Sequence, residues 1–230
     1  SSLKNALIKY KNYEIKLVIT EGVFSMDGDM PDLPSMLDIT KEYEALCIVD
    51  DAHATGTIGQ NGGGSSDFHN AKPDIIIGTL GKALASNGAF VLSQSSVIEY
   101  LINFSRAFIF STGIPPSSAA SALSALEFIK EHKEIVSKLQ NNSKFAREFL
   151  KESGLNTLNS STHIIPIFIG DEKKAVLIEK ELLKIGIYLK AVRYPAVTKK
   201  NAILRLGINL TIDDASFKNI LQKIVENVRS

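Results

Sequence analysis

The stretch Asp74–Phe90, "DIIIGTLGKALASNGAF", decides how the rest of the chain is interpreted. Its apolar start predicts a buried strand, and the strand runs into a glycine-containing turn that carries one lysine, Lys82. Gly81, Ala83 and Ala85 surround this lysine, and such small residues leave room for a ligand beside the backbone. The stretch therefore indicates an amine at the carboxyl end of a strand.

Short apolar runs alternate with helical patterns on both sides of this stretch. The predicted strands are Lys16–Thr20, Leu46–Asp50, Asp74–Thr79 and Gly88–Ser93, and the predicted helices are Leu33–Ala45, Val97–Phe104 and Ser117–Lys151. Asp32 is placed to cap the first of these helices, with Pro34 in its first turn. This alternation is typical of a parallel sheet covered on both faces, so we predict an α/β fold with a mainly parallel sheet for residues 1–135.

The composition becomes more polar beyond residue 135. Strand patterns at 163–170, 187–192 and 202–210 alternate there with helical patterns at 172–186 and 213–228. We predict that residues 136–230 form a small C-terminal α+β domain.

Bulk composition excludes several classes of function. The 230 residues carry a formal net charge of +1, which gives no reason to expect nucleic acid or an anionic membrane as a partner. No apolar run approaches the roughly 20 residues that a membrane span needs. Cys47, the single cysteine, can form no internal disulfide, which fits a reducing compartment such as the cytoplasm.

Polar segments follow three of the predicted strands. "EGVFSMDGD" begins at Glu21, "DDAHATG" begins at Asp50, and "TLGKA" begins at Thr79. Because ligands of open α/β sheets bind at the carboxyl ends of the strands, we expect these segments to form one pocket.

The segment that contains Asp50 and His53 allows three interpretations. Asp50 can cap a turn with His53 as an ordinary polar neighbour, or Asp50, Asp51 and His53 can bind a metal ion. A second cluster of ligands is missing from the other strand ends, which disfavours the metal. In the third interpretation, Asp50 holds a cationic heterocycle such as a pyridinium ring, which needs a fixed negative partner to stay protonated.

Lys82 can be a surface lysine, part of a phosphate-binding loop, or a covalent anchor. A phosphate-binding loop of the G-x-x-x-x-G-K-[ST] type is excluded, because Ala83 follows the lysine and only two residues separate Gly78 from Gly81. An amine in a tight, desolvated site loses its proton readily and can react with a carbonyl group. Together with Asp50 and the hydroxyl of Thr79, it is the combination that pyridoxal phosphate requires.

Four motifs in this order resemble the α-oxoamine synthases, a family of fold type I pyridoxal-phosphate enzymes. They are "TEGVFSMDGD", "VDDAHATGTIG", "GTLGKALASNGAF" and "FSTGIPP". Within the family, "STHIIPIFIGDEKKA" and "FSTGIPP" are most similar to the branch that makes 8-amino-7-oxononanoate in biotin biosynthesis. The resemblance implies the type I fold, with a partial large domain and a small C-terminal domain.

The resemblance also implies roles around the cofactor. Lys82 matches the lysine that holds pyridoxal phosphate covalently and moves protons at the substrate. Asp50 matches the carboxylate paired with the pyridine nitrogen, and His53 matches the histidine that bonds to the phenolic oxygen of the ring. Ser25 matches a residue beside the ring, and Thr79 matches a hydroxyl that helps to hold the phosphate.

Further positions match the substrate and subunit contacts of the family. Ser111 and Thr112 resemble the segment that reaches the phosphate of the neighbouring subunit, which implies a homodimer with shared sites. Arg205 matches the arginine that binds the carboxylate of the amino acid, and Arg193 matches a second basic position near the acyl substrate. A surface role for Arg193 is equally compatible with the sequence.

The activity implied by the resemblance is the decarboxylative condensation of L-alanine with a pimeloyl thioester of coenzyme A or acyl carrier protein. Two alternatives stay open: a sibling enzyme that uses glycine or serine, such as glycine C-acetyltransferase, and an incomplete unit that acts only in dimerisation. The family's N-terminal portion, with its glycine-rich phosphate turn, has no counterpart in this sequence. We therefore expect these 230 residues alone to bind the cofactor poorly. Ala85 stands where family members often have glycine.

Overall fold

The computed structural model describes residues 2–229, and its contacts divide the chain into two units. The first unit runs up to Val23 and continues over Met30–Val136, and the second contains Phe24–Asp29 and the residues from Ser137 onward. The sequence placed 24–29 in the first domain, whereas the contacts place this segment in the second unit.

The first unit contains a four-stranded sheet and its helices. In chain order its elements are α1 (Ser2–Lys9), β1 (Leu17–Glu21), α2 (Leu33–Glu42), β2 (Leu46–Asp50), α3 (Ser65–His69), β3 (Ile75–Thr79), β4 (Ala89–Ser93), α4 (Ser95–Phe104), α5 (Arg106–Ile109) and α6 (Pro116–Glu131). The boundary between the units lies within α7 (Glu134–Glu152).

The sheet has the order β1-β2-β3-β4 and is mainly parallel. The β1–β2 and β2–β3 pairs are parallel, as predicted, but β4 runs antiparallel to β3. The reason is the connection: residues 80–88 join β3 to β4, and so short a segment cannot make the crossover of a dozen or more residues that parallel neighbours need.

Helices α1 and α2 cover one face of β1 and β2. Val18 packs with Leu7 of α1, and Cys47 and Val49 pack with Leu33 of α2. On the opposite face Ile19 is 69% exposed. The sequence predicted that both faces of the sheet are covered, whereas helices of the described residues cover only one face of β1 and β2.

The start of α2 shows how local sequence sets an element. The Asp32 side chain accepts hydrogen bonds from the Ser35 N–H group at 3.3 Å and from the Ser35 hydroxyl at 2.6 Å, and Pro34 lies in the first turn. These contacts satisfy a backbone donor that would otherwise lack a partner. The predicted cap is therefore present.

The second unit is built on a three-stranded antiparallel sheet of order β5-β7-β6. Its elements beyond α7 are β5 (Ile164–Gly170), α8 (Glu172–Lys184), β6 (Lys190–Val192), β7 (Ala202–Gly207) and α9 (Asp214–Arg229). Fully buried Ile165, Leu182, Leu204 and Leu221 belong to one core that joins the sheet to α8 and α9. Across residues 2–229, no helix combines the length and the apolar character needed to cross a membrane.

Candidate active site

The carboxyl ends of the three parallel strands lie at one edge of the first unit's sheet. Glu21 at the end of β1 is opposite Asp50 at the end of β2, and Asp50 is opposite Ile77 in β3. Thr79 ends β3 two residues later, and Lys82 lies in the turn that follows. The register therefore places Asp50 and the lysine turn at the same edge.

Asp50 presents a half-buried carboxylate at this edge. Its Oδ1 accepts a hydrogen bond from the Ala52 N–H group at 2.9 Å, which fixes the side chain against the turn after β2. Its Oδ2 accepts no hydrogen bond within residues 2–229. One oxygen of an oriented carboxylate thus remains for a cationic ligand.

Asp51 is enclosed immediately behind Asp50 and is only 1% exposed. Its Oδ2 accepts a hydrogen bond from the Ser65 N–H group at 2.9 Å, whereas Oδ1 is buried and has no hydrogen bond to the described residues. Two glycines make room for it, because a Cβ atom would lie 1.9 Å from Oδ1 at Gly22 and 2.1 Å from Oδ2 at Gly64. Burial raises the pKa of the Asp51 carboxyl.

From the sequence alone, Asp51 was a candidate only as one of three possible ligands of a metal ion. Among the residues that the structure describes, no group of three or more His, Cys, Asp or Glu side chains could hold a metal. Asp51 instead ties the turn after β2 to the start of α3. The signal in the sequence was a pair of adjacent acidic residues at the end of a buried strand. Because successive side chains point to opposite sides of the backbone, the second carboxylate cannot face the same way as the first.

We expect Asp51→Asn to make the protein more stable than wild type at neutral pH. Asparagine keeps an oxygen acceptor for the Ser65 N–H group and carries no buried charge. Because the folded-state pKa of Asp51 is raised, the wild type gains stability as the pH falls, and the difference should vanish below about pH 4, where the unfolded carboxyl is also protonated. Urea unfolding of both proteins at a series of pH values measures this, and a variant that is less stable at every pH would contradict it.

The turn after β3 is fixed by backbone contacts. The Thr79 hydroxyl donates to the Gly88 carbonyl at 3.3 Å and accepts from the Gly81 N–H group at 3.2 Å, so it stabilises the turn itself. Lys82 is exposed on this turn. The described residues therefore do not provide the desolvation that the sequence predicted for Lys82.

Ala85 has a left-handed backbone, with φ of 50°. Its N–H group donates to the Lys82 carbonyl at 3.0 Å, which closes the turn around the lysine. A residue with a Cβ atom is strained there by roughly 1–2 kcal/mol, and glycine is not. The departure from the family's glycine therefore affects the backbone as well as the space beside it.

The other predicted residues of the first unit lie in loops. His53 is half-buried in the turn after β2, and its carbonyl accepts a hydrogen bond from the Thr57 hydroxyl at 2.9 Å. Ser111 and Thr112 are exposed beyond α5, and the Ser111 hydroxyl donates to the Ala107 carbonyl at 2.6 Å. Cys47 is fully buried, and burial raises the pKa of its thiol to about 11, as suits a core residue.

Ser25, Arg193 and Arg205 belong to the second unit. The Arg205 Nε–H group donates to the Ser25 carbonyl at 2.8 Å. Arg205 is half-buried, and desolvation lowers the pKa of its guanidinium, yet no carboxylate among residues 2–229 forms an ion pair with it. Arg193 is exposed just after β6.

The chain is similar to curated proteins named 8-amino-7-oxononanoate synthase. It is 40% identical to that of Thermoanaerobacter pseudethanolicus, over 84% of this chain and 49% of the relative. It is 37% identical to that of Geobacter sulfurreducens, over 95% of this chain and 57% of the relative. The chain thus spans about half the length of these relatives.

Two solved structures resemble the fold over 99% of this chain. Serine palmitoyltransferase from S. paucimobilis, solved with bound pyridoxal phosphate and myriocin, is 28% identical, has a TM-score of 0.92, and is covered over 58% of its length. The 8-amino-7-oxononanoate synthase of Francisella tularensis is 27% identical, has a TM-score of 0.83, and is covered over 67%.

A family model agrees with these similarities and with the resemblance that the motifs indicated. It describes aminotransferases of class I and II, and it matches residues 1–224, which include the strand ends, the lysine turn and the second sheet. The matched range covers the mainly parallel sheet and nearly all of the small α+β unit that follows it, and the chain belongs to the aminotransferase class I and II family.

Proposed function

We propose that this chain is part of a pyridoxal-phosphate enzyme that condenses L-alanine with a pimeloyl thioester to give 8-amino-7-oxononanoate in biotin biosynthesis. The observation that carries the proposal is the common edge at which the Asp50 carboxylate and the Lys82 turn lie. The relatives named for this activity support the choice within the family.

The residues at this edge fit the cofactor chemically. Asp50 has one oxygen without a hydrogen bond from the described residues, and an oriented anion is what a protonated pyridine nitrogen requires. When bound, pyridoxal phosphate supplies an electron sink that stabilises negative charge at the α-carbon of an amino acid. The site therefore has the charge that this cofactor needs.

Each residue then has a defined task. Lys82 carries the amine that bonds to the cofactor aldehyde and that moves the α-proton of the substrate. Asp50 holds the ring nitrogen positive, and His53 donates a hydrogen bond to oxygen that gains negative charge. Thr79 stiffens the turn beside Lys82 and lies at the position assigned to the phosphate, and Ser25 is assigned to the ring.

Arg205 is the candidate for the substrate carboxylate. A half-buried guanidinium without an acidic partner in the described chain favours an anionic ligand, and its planar fork suits a carboxylate. Arg193 is assigned to the acyl substrate, with coenzyme A or acyl carrier protein as the thiol carrier. Ser111 and Thr112 are assigned to a neighbouring subunit of a homodimer.

Turnover of matched substrates by the complete protein, loaded with pyridoxal phosphate, tests the proposal. L-Alanine, glycine and L-serine are each supplied with pimeloyl-coenzyme A and with pimeloyl acyl carrier protein, and the released thiol and the amino ketone are measured. We expect L-alanine to be preferred by about 10-fold or more, because one methyl group in a fitted pocket is worth about 1–3 kcal/mol. Equal turnover with all three amino acids would contradict the assignment to alanine.

A sibling activity is the second candidate, and the structural similarity to serine palmitoyltransferase favours it. In that case L-serine with a long-chain acyl thioester replaces alanine and the pimeloyl group. If serine were preferred in the same assay, the assignment of the cofactor chemistry would stand, and the assigned substrate would change from alanine to serine.

A further inference from the structure

The segment Phe24–Asp29 forms a closed loop within the second unit. The Gly28 N–H group donates to the Phe24 carbonyl at 2.9 Å, and the Phe24 N–H group donates to the Asp29 carbonyl at 3.0 Å. Gly28 is buried with φ of 65°, a conformation that glycine adopts without strain. The backbone between these residues, including Ser25, is therefore held in one shape.

Thr162 anchors this loop to the residues that precede β5. The Gly28 carbonyl accepts three hydrogen bonds there: from the Ser161 N–H group at 3.0 Å, the Thr162 N–H group at 3.1 Å and the Thr162 hydroxyl at 2.8 Å. Thr162 is only 3% exposed, and Arg147 donates to its carbonyl. A Cβ atom at position 28 would lie 1.9 Å from the Ile164 carbonyl oxygen, so the loop lies directly against β5.

The same loop holds Arg205. This arginine lies in β7, the central strand of the second sheet, and its Nε–H group donates to the Ser25 carbonyl at 2.8 Å. When Nε of a guanidinium donates to a backbone carbonyl, the two terminal nitrogens can still donate hydrogen bonds to a ligand. A carboxylate can accept these bonds in a bidentate manner. The orientation of the guanidinium plane thus depends on where the Ser25 carbonyl lies.

We propose that the loop Phe24–Asp29 positions Arg205 for a substrate carboxylate and that Thr162 is the positioning residue that anchors the loop. This inference rests on the proposed function, in which Arg205 binds the carboxylate of the amino acid. Thr162 acts through Gly28, Ser25 and Arg205 and does not touch the substrate. Loss of its hydroxyl lets the Ser25 carbonyl move, and the guanidinium then loses its fixed orientation.

Thr162→Val and Thr162→Ser in the complete protein, loaded with pyridoxal phosphate, test the anchor. The dissociation constant of L-alanine is measured from the change in cofactor absorbance, together with that of L-alaninamide, which has no carboxylate. Thr162→Val removes the hydroxyl's hydrogen bond to the Gly28 carbonyl at 2.8 Å and the weaker one that it accepts from the Ile164 N–H group at 3.4 Å. We expect this variant to bind L-alanine about 10-fold more weakly, with about the wild-type affinity for L-alaninamide. Thr162→Ser, which keeps the hydroxyl, should bind L-alanine within about twofold of wild type.

Arg205→Ala, alone and combined with Thr162→Val, separates the two proposals. If Thr162 acts through Arg205, the double variant should bind L-alanine no more weakly than Arg205→Ala. Weaker binding by Arg205→Ala with wild-type binding by Thr162→Val would overturn the positioning role alone. Wild-type binding by Arg205→Ala would overturn the carboxylate assignment and the positioning role with it.

Equal losses for L-alanine and L-alaninamide would also overturn the positioning role, because they would indicate a general structural defect. Unfolding of each variant is measured first. If the valine variant does not unfold cooperatively, Thr162→Ala, which removes the hydroxyl and adds no new group, takes its place under the same criteria.

Discussion

Lys82→Ala is expected to remove the visible absorbance of the bound cofactor and to lower turnover by about 10⁴-fold or more, because in the proposed function both covalent attachment and proton transfer depend on this amine. The turn that carries Lys82 follows β3 and is closed by the Thr79 hydroxyl and the Ala85 N–H group. Lys82 is exposed, so the substitution leaves no cavity and the fold should persist. Absorbance spectra and single-turnover assays of the loaded protein measure both effects.

Lys72→Ala is the matched control for this prediction. Lys72 is also exposed and precedes the same strand, but it lies outside the turn after β3. Its removal should leave the spectrum and the turnover as they are in wild type. A Lys82→Ala protein that kept the visible band would exclude Lys82 as the covalent anchor.

Asp50→Asn is expected to lower turnover by about 10²–10³-fold while cofactor absorbance persists. Asparagine keeps the size of the side chain and an acceptor for the Ala52 N–H group, but it removes the negative charge. An adjacent opposite charge shifts a pKa by about 1–3 units, so under the proposed pairing of Asp50 with the ring nitrogen its loss lowers the protonated fraction of that nitrogen by up to about 10³-fold. Asp50→Glu, which keeps the charge, should retain more activity.

Asp38→Asn is the matched control for Asp50→Asn, because it also removes one negative charge. Asp38 is exposed on α2 and is not at the carboxyl edge of the sheet. If both asparagine variants lost activity equally, net charge would explain the effect. If Asp50→Asn kept full turnover, the assignment of Asp50 to the ring nitrogen would be wrong.

The elements of the first unit were predictable because their signals are local. The apolar run Leu46–Asp50 forms β2, and the cap and proline at the start of α2 lie where the sequence predicted them. The lysine turn was also visible, because small residues and a lysine directly follow an apolar strand.

Non-local features were not predictable. The direction of β4 depends on the length of one connection, and the membership of Phe24–Asp29 in the second unit depends on contacts with residues more than 130 positions away. The hydrogen bond from Arg205 to Ser25 joins residues separated by 180 positions. Local sequence patterns do not indicate which distant residues will come into contact. The environment of Asp51 is likewise created by Gly22 and Gly64, which lie on other segments.

The discontinuous make-up of the second unit limits how the molecule can be dissected. Cutting between Val136 and Ser137 would give a C-terminal piece without Gly28, and the donors at Ser161 and Thr162 would lose their shared acceptor. Thr162 is buried, and a buried donor left without a partner costs about 1–3 kcal/mol. Expression of that piece as an autonomous module should therefore include a covalently grafted copy of the six-residue loop Phe24–Asp29.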